Sequence, residues 1–388
     1  MTVLPMLSTR VNTTVQALIE RQVAEGSQIG VQVAAYHRGK PVVDAWAGAM
    51  GPEDPRPVQP DSLFLSFSTT KGIAALALHM QADKGLIDFD APVAKYWPAF
   101  AAHGKDKVTV AQAVSHQTGI HQTAPQEWDW DSGMPTHLTE WEAGLAWVEN
   151  SIPAWEPGTA TGYHAVTYGW IIGGIIQHAT GRHIQEIVAN DIAAPLGIAD
   201  SLFIGIPDGL DERLTTLAVI AAGEGLSLPA ESDFHRAMPL GLWQHTNSMA
   251  YRQACIPSAN GHFTARALAR TYAALAGDGS IDGVRLVSPA AIKGMQRLMT
   301  SATDRTLGVP VNKGIGFFLG GETNGIHGPN GPRITAFGHA GAGGSVAFAD
   351  PEVGLAIGVT LNKMAYPLPG EGVTLEICDL IRKELGAQ

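Results

Sequence analysis

Cysteine is almost missing from this 388-residue chain, which contains only Cys255 and Cys378. Two thiols so far apart are able to pair, but in a long chain they read as reduced and buried, so no disulfide framework is expected. Long apolar runs are missing as well: none approaches the roughly 18 residues that a membrane helix needs. Residues Met1 to Glu25 lack the charged-then-apolar order of a secretion signal. An excess of positive charge is also absent, the formal net charge being −11. That balance argues against nucleic acid, whose phosphates demand a basic surface, and otherwise says little beyond solubility. The expectations are therefore no nucleic-acid partner, no membrane and, by default, a cytoplasmic location.

What is present is a globular composition, 45% hydrophobic and 16% charged, long enough for two lobes or one large domain. Val11, Val15, Leu18 and Ile19 have the spacing of a surface helix. Gly30 to Ala35 and Pro41 to Trp46 are β-type runs around Arg38-Gly39-Lys40 and read as a hairpin. A second pair, Ser345 to Ala349 and Gly354 to Thr360, brackets the turn signal Asp350-Pro351-Glu352-Val353. Leu375, Cys378, Ile381 and Leu385 then give a C-terminal helix. Between these ends the period becomes helical: Ile73, Leu76, Ala77 and Met80 form a stripe stopped at Gly85, and Tyr168 to Thr180 and Ala265 to Ala276 are further helices. Strands at both ends and helices in the middle predict an α+β fold. One antiparallel sheet is assembled from both chain ends and flanked by helices, with a mainly helical lobe inserted. Residues 1–67 and 300–388 are assigned to the sheet domain and 68–299 to the lobe. There is no internal repeat and no low-complexity linker.

Ser68-Thr69-Thr70-Lys71 opens the first central helix. A spacing of three places serine and lysine on one face, one turn apart, with the serine where the helix dipole favours developing negative charge. A lysine on the buried side of an apolar helix is driven toward its neutral form, and a neutral amine beside a hydroxyl is a general base beside a nucleophile. Taken alone, so short a pattern fits a capping serine with a surface lysine equally well. Two further motifs weigh against that. Tyr163-His164-Ala165 follows Pro157-Gly158 and precedes a Gly-rich helix, and Phe337-Gly338-His339-Ala340-Gly341-Ala342-Gly343-Gly344-Ser345 leads into a strand.

With these three motifs in order, the chain resembles the serine β-lactamase and penicillin-binding protein superfamily, in its class C-like branch, and is most similar there to the family VIII carboxylesterases. Lys84 to Asp90, Ala113 to Ile120 and Gly343 to Leu355 share the likeness, which covers nearly the whole chain. The resemblance implies a serine β-lactamase/DD-peptidase-like fold with the nucleophile at the lobe interface. It makes Ser68 the acylated nucleophile, Lys71 the group that helps deprotonate it, and Tyr163 a second proton carrier whose phenolate a nearby cation would favour. His339-Ala340-Gly341 occupies the place of the family's Lys-Thr-Gly, which puts His339 and Gly341 at the substrate. The backbone N–H groups of Ser68 and Ala342 would form the oxyanion hole, each donor worth roughly 3 kcal/mol.

Two departures bear on the substrate. The asparagine that usually stands two residues after the family tyrosine is Ala165 here, and the Lys-Thr-Gly lysine is His339, which is shorter and only partly charged near neutral pH. Both changes weaken binding and turnover of penicillins, and neither harms attack on a neutral ester. The expected activity is thus hydrolysis of a small-molecule, short-chain neutral ester. Runners-up are a β-lactamase, a D-amino-acid peptidase or amidase, and an acyltransferase to an alcohol. An inactive ligand-binding homologue is disfavoured because serine, lysine and tyrosine are all kept.

Weaker features remain open. Trp128, Trp130, Trp141, Trp147 and Trp155 crowd into one stretch. They make either a satellite core in the helical lobe or an aromatic wall over the substrate pocket, with Trp128 from this loop and Trp243 from the other side. Among 14 histidines, His116 and His121 are a close pair, but H-x-H and H-E-x-x-H are absent, so no metal and no cofactor are expected. Gly343-Gly344-Ser345-Val346-Ala347 lacks the last glycine of a nucleophile elbow. Ser68→Ala should therefore abolish labelling by a fluorophosphonate probe and lower turnover by several orders of magnitude. Labelling that survives Ser68→Ala but disappears with Ser345→Ala would reverse the assignment.

Overall fold

Both ends of the chain meet in one sheet. The computed structural model describes residues 7–123, 136–219, 228–229, 231–238, 242–365, 367 and 370–388. Strands β1 (Gly30–His37) and β2 (Lys40–Gly48) form the expected hairpin, turning at Arg38 and Gly39, whose φ angles are 51° and 74°. The C-terminal strand β11 (Leu355–Leu361) lies antiparallel on β1 with Val33 opposite Val359 and Ala34 opposite Gly358. Beyond it come β10 (Val346–Asp350), β9 (Phe337–Ala340) and β8 (Phe318–Leu319), so the sheet runs β2-β1-β11-β10-β9-β8.

Alternation along β1 assigns its two faces. Val31, Val33 and Ala35 join Val11, Val15 and Ile19 of the first helix (Arg10–Ala24) and Ile377, Cys378 and Ile381 of the last (Val373–Leu385) in one apolar layer. Ala34 faces the other way, onto Ala265 and Ala269 of the helix Ala265–Leu275. Small residues let that helix lie close: a Cβ on Gly358 would sit 2.7 Å from Ala265 O and 2.9 Å from Ala269 N, both backbone atoms that cannot swing aside. Gln32, on the same face, accepts the Ala265 N–H at 3.0 Å and so caps the start of that helix. Sheet strands buried on both faces explain why β1 and β11 read as nearly unbroken apolar runs.

The remaining helices gather around Thr70–Asp83, which is buried on almost every side, as a helix apolar all round must be. A small sheet carries its N-terminal end: β3 (Phe64–Leu65) and β4 (Leu202–Ile204) flank β5 (Gly261–Phe263). The Gly-rich helix Thr167–Thr180 packs beside it. Two of its three glycines are seats for indole rings. Trp141 lies on Gly173 and Trp97 on Gly174, so Trp141 belongs to the core of this region. Cys255 and Cys378 are both free thiols. Among the described residues, no helix is long and apolar enough to cross a membrane.

A methyl group on Gly174 would collide with the fully buried Trp97 ring and come within 3.0 Å of Leu145. Gly174→Ala should therefore destabilise the protein by about 1–3 kcal/mol through overpacking, outweighing the gain of about 1 kcal/mol in helix propensity. A urea melt would show this as a lower midpoint with an unchanged slope. A raised midpoint would mean that Trp97 is free to move.

Candidate active site

Ser68 stands in the turn just before the helix, two residues earlier than the first helical residue Thr70. Three overlapping backbone bonds tighten that turn: Thr69 N–H to Ser66 O (3.1 Å), Thr70 N–H to Phe67 O (2.9 Å) and Lys71 N–H to Ser68 O (3.0 Å). Phe67 pays with a φ of 42°, a conformation that non-glycine residues hold only when their surroundings impose it. Those surroundings are visible. Phe67 is buried, bridges Asn260, and meets Trp243 edge-on at 5.1 Å between ring centroids. Thr70 Oγ1 accepts the N–H of Gly261 at 2.8 Å, which ties the helix start to β5. Ser68 itself keeps partial exposure.

Lys71 is wholly buried. Its Nζ lies 3.1 Å from Ser68 Oγ, 2.7 Å from the carbonyl oxygen of Ala165 and 2.9 Å from that of Ser258. Among the described residues, no carboxylate pairs with it. Burial without an opposite charge drives this amine well below the usual lysine value of 10.5. A neutral amine has two N–H groups and one lone pair. Two carbonyls, which can only accept, claim the two N–H groups and leave the lone pair facing the serine hydroxyl.

The tyrosine arrives from the loop that precedes the helix Thr167–Thr180. Its phenol oxygen is 2.6 Å from Ser68 Oγ, and Lys71 Nζ lies 4.8 Å from its ring centroid. Burial raises the Tyr163 pKa above its ordinary value of 10.0, and only the bond to Ser68 works against this. The phenol therefore keeps its proton. This reverses the electrostatics expected from the sequence, because the neighbouring lysine is itself driven to neutrality and provides no cation to favour a phenolate.

His339 is buried on β9 between Phe318 (ring centroids 4.3 Å apart) and Tyr163 (5.9 Å). Its Nδ1 is 2.7 Å from the Ala340 carbonyl, so that nitrogen carries the proton and donates. Nε2 is buried and, among the described residues, has no partner. Burial pushes the ring down to about 3. In place of the partial charge expected near neutral pH there is a neutral ring with a bare acceptor.

After β9 the chain turns sharply. Gly341 N–H bonds Ser345 O (2.7 Å) and Gly344 N–H bonds Gly341 O (3.1 Å), with φ of 88° and 114° at Gly343 and Gly344. The N–H groups of Ala342 and of Ser68 have no acceptor among the described residues. A Cβ at Gly341 would run into the carbonyl oxygen of Ser66, so glycine is what lets this turn lie against the turn that carries Ser68.

The structure thus brings Ser68, Lys71, Tyr163, His339 and Gly341 together and sets Trp243 beside them through Phe67. Trp128 and Trp130 lie outside the described residues. Trp155 is not a free wall: it stacks on His121 (5.1 Å) and backs Gly162, behind the tyrosine. His116 accepts the His164 N–H at 3.1 Å and His121 meets Asp233 at 3.1 Å, so both are loop residues held by hydrogen bonds. Sequence reasoning missed the Ser258 carbonyl, which carries no side-chain signal. It also missed the buried pair Asp304–Lys313, announced only by a lysine set immediately before the apolar run Gly314 to Leu319.

Comparison with known proteins agrees in sequence and in structure. The family model described as Beta-lactamase matches residues 15–375. The chain is 35% identical to the esterase/beta-lactamase LipL of Mycobacterium tuberculosis over 356 residues, covering 87% of this chain and 78% of that protein. It superposes on a family VIII carboxylesterase with a TM-score of 0.86 at 33% identity, covering 97% and 98% of the two chains. A penicillin-binding protein homologue from Caulobacter crescentus gives a TM-score of 0.87 at 35% identity, covering 96% and 97%.

The charge states give a pH dependence of definite sign. The lowered Lys71 keeps its lone pair down to a pH well below 10.5, and activity should be lost as the pH falls through its folded value, where the ammonium forms. The raised Tyr163 holds its proton past 10.0. His339, at about 3, contributes no inflection near the ordinary histidine value of 6.5. The acid limb of kcat/KM should stay in place in His339→Phe. A limb centred near 6.5 that vanishes in this variant would show that His339 titrates.

Proposed function

We propose, from the premise that the chain belongs to the beta-lactamase family and is a serine hydrolase, that it is a carboxylesterase of short-chain, uncharged esters working through an acyl-enzyme on Ser68. The observation that carries this is the convergence on one oxygen: Ser68 Oγ has Lys71 Nζ at 3.1 Å and the Tyr163 phenol at 2.6 Å. Ser68 attacks the ester carbonyl carbon while its proton passes to the Lys71 lone pair. The N–H groups of Ser68 and Ala342 hold the developing oxyanion, each worth roughly 3 kcal/mol. Tyr163 protonates the departing alkoxide and regains a proton from the Lys71 ammonium. Water then attacks the acyl-enzyme along the same proton route, and Ser68 recovers its hydrogen.

Substrate choice follows from the neutrality of the site. A carboxylate-bearing substrate would meet the Nε2 lone pair of His339 where an ammonium would welcome it, and Ala165 offers only a methyl group. An ester needs neither, because its alkoxide leaves readily and diffuses away. The names of two relatives, a family VIII carboxylesterase and an esterase/beta-lactamase, support esterase activity. The second of these favours β-lactam hydrolysis as the alternative.

A panel of p-nitrophenyl acetate and butyrate, nitrocefin and D-amino-acid anilides decides between them. The esters should give the higher kcat/KM, and nitrocefin turnover above that of both esters would put the β-lactamase first. His339→Lys should favour carboxylate-bearing substrates by about tenfold or more relative to neutral esters, as one charge-assisted hydrogen bond allows. An equal change for both classes would remove His339 from substrate selection.

A further inference from the structure

Tyr163 sits in a stretch with no regular structure, residues 161–164, yet its phenol must be held at hydrogen-bond distance from Ser68. The anchor lies on its far side. The side chains of Asp304 and Lys313 form an ion pair with no solvent exposure at all. One carboxylate oxygen of Asp304 accepts three backbone N–H groups: Tyr163 at 3.0 Å, Thr306 at 2.8 Å and Leu307 at 2.8 Å. The other oxygen takes Lys313 Nζ, which also donates to Thr161 Oγ1 at 2.5 Å. Thr161 in turn donates from the same hydroxyl to His116 O at 3.2 Å, and its own carbonyl accepts the Arg305 N–H at 2.9 Å. The loop is therefore gripped both at Thr161 and at Tyr163 by one pair of charges.

For stability alone such a pair is a poor investment. Taking two ions out of water costs several kcal/mol each, and well-packed apolar residues of similar size often do as well or better. What a carboxylate with four donors around it supplies is fixed direction: charge-assisted bonds are short and oriented. Placement is what proton transfer demands, since an error of about 1 Å can cost about 100-fold in rate.

We propose that Asp304 and Lys313 are positioning residues that hold the backbone of Tyr163 so that its phenol reaches Ser68. This rests on Tyr163 being the proton donor, and the test separates the two ideas. Asp304→Ala/Lys313→Met removes the anchor without stranding a buried charge, and it is made in the natural protein and in Tyr163→Phe. Hydrolysis of p-nitrophenyl butyrate supplies kcat and KM, and urea melts supply stability. In the natural background kcat should fall about tenfold to 100-fold with KM little changed. In the Tyr163→Phe background the same pair of changes should cost almost nothing further in kcat. Asp304→Asn/Lys313→Met, which restores an acceptor for the Tyr163 N–H, should recover most of the loss.

An equal loss of kcat in both backgrounds would make the pair merely structural and overturn the proposal while leaving Tyr163 as the acid. A Tyr163→Phe protein with undiminished kcat would overturn the role of Tyr163 itself. If the double variant fails to fold, Thr161→Val removes the Lys313 link together with the longer bond to His116 O, and leaves the Asp304 bond to the Tyr163 N–H in place. It should show the same pattern at smaller size: a loss of kcat in the natural protein that disappears in Tyr163→Phe. An additive loss there would again refute positioning.

Discussion

An amine sealed from water and, among the described residues, paired with no carboxylate cannot keep its charge cheaply, and in this molecule that amine is Lys71. Desolvation pushes it toward neutrality, and the carbonyls of Ala165 and Ser258 satisfy its two N–H groups without restoring a charge. Much of the surrounding architecture keeps those two carbonyls pointed inward. Ser258 donates its hydroxyl to Val166 O at 2.8 Å, which joins the two carbonyl-bearing segments directly. Asn260 binds Ile256 N, Tyr251 O and Ala254 O and so shapes the loop that presents Ser258. Gly169 lets the helix Thr167–Thr180 lie against Ser258, since a Cβ there would come 2.8 Å from its nitrogen. A charged partner for Lys71 would favour its ammonium form and so spoil it for the proposed role of base.

Neutrality then spreads outward from this point. His116, His164 and His339 are all buried near Lys71 and all held below the ordinary histidine value, burial being the first cause in each. Tyr163 retains its proton for the same reason. Lys71, Tyr163 and these histidines thus differ in hydrogen-bonding role while carrying no net charge. The exception is the Asp304–Lys313 pair, which is internally compensated and lies behind the tyrosine loop. Among the described residues, such surroundings offer an anion no charged side chain to pair with, which is why the proposed substrates are uncharged.

The elements that were legible in the sequence are those whose pattern is local. The stripe Ile73, Leu76, Ala77 and Met80 became the helix Thr70–Asp83, and the terminal β-type runs became β1, β2, β10 and β11. The serine, lysine and tyrosine were legible because each stands in a short ordered motif, and all three lie within the residues 15–375 that the family model matches. Contributions that come from the backbone or from distant pairing were not. A carbonyl such as that of Ser258 looks the same in every residue type. The positive φ of Phe67 violates local preference and is imposed by tertiary contacts. Asp304 and Lys313 acquire meaning only when the fold brings Thr161 and Tyr163 between them. Trp141 had two readings that its spacing could not separate, and only the glycine seat on a neighbouring helix places it in the core.

The split between backbone and side chain also accounts for how Ala165 can stand where the family pattern has asparagine. The group at this position that touches Lys71 is the carbonyl oxygen, 2.7 Å away, and a carbonyl is present whatever the side chain. Losing the amide therefore removes only a side-chain polar group and leaves the carbonyl contact to Lys71, the proposed base, untouched. His339 repeats the logic: its ring is the group proposed to select the substrate, while the turn that follows it, set by Gly341, Gly343 and Gly344, presents the Ala342 N–H through backbone geometry alone. Groups proposed to move protons and hold the oxyanion depend on carbonyls, N–H groups and a buried amine. Groups proposed to select the substrate are the buried side chains at positions 165 and 339, set into that frame. Substrate preference can then change by substitution at those side chains without dismantling the chemistry at Ser68.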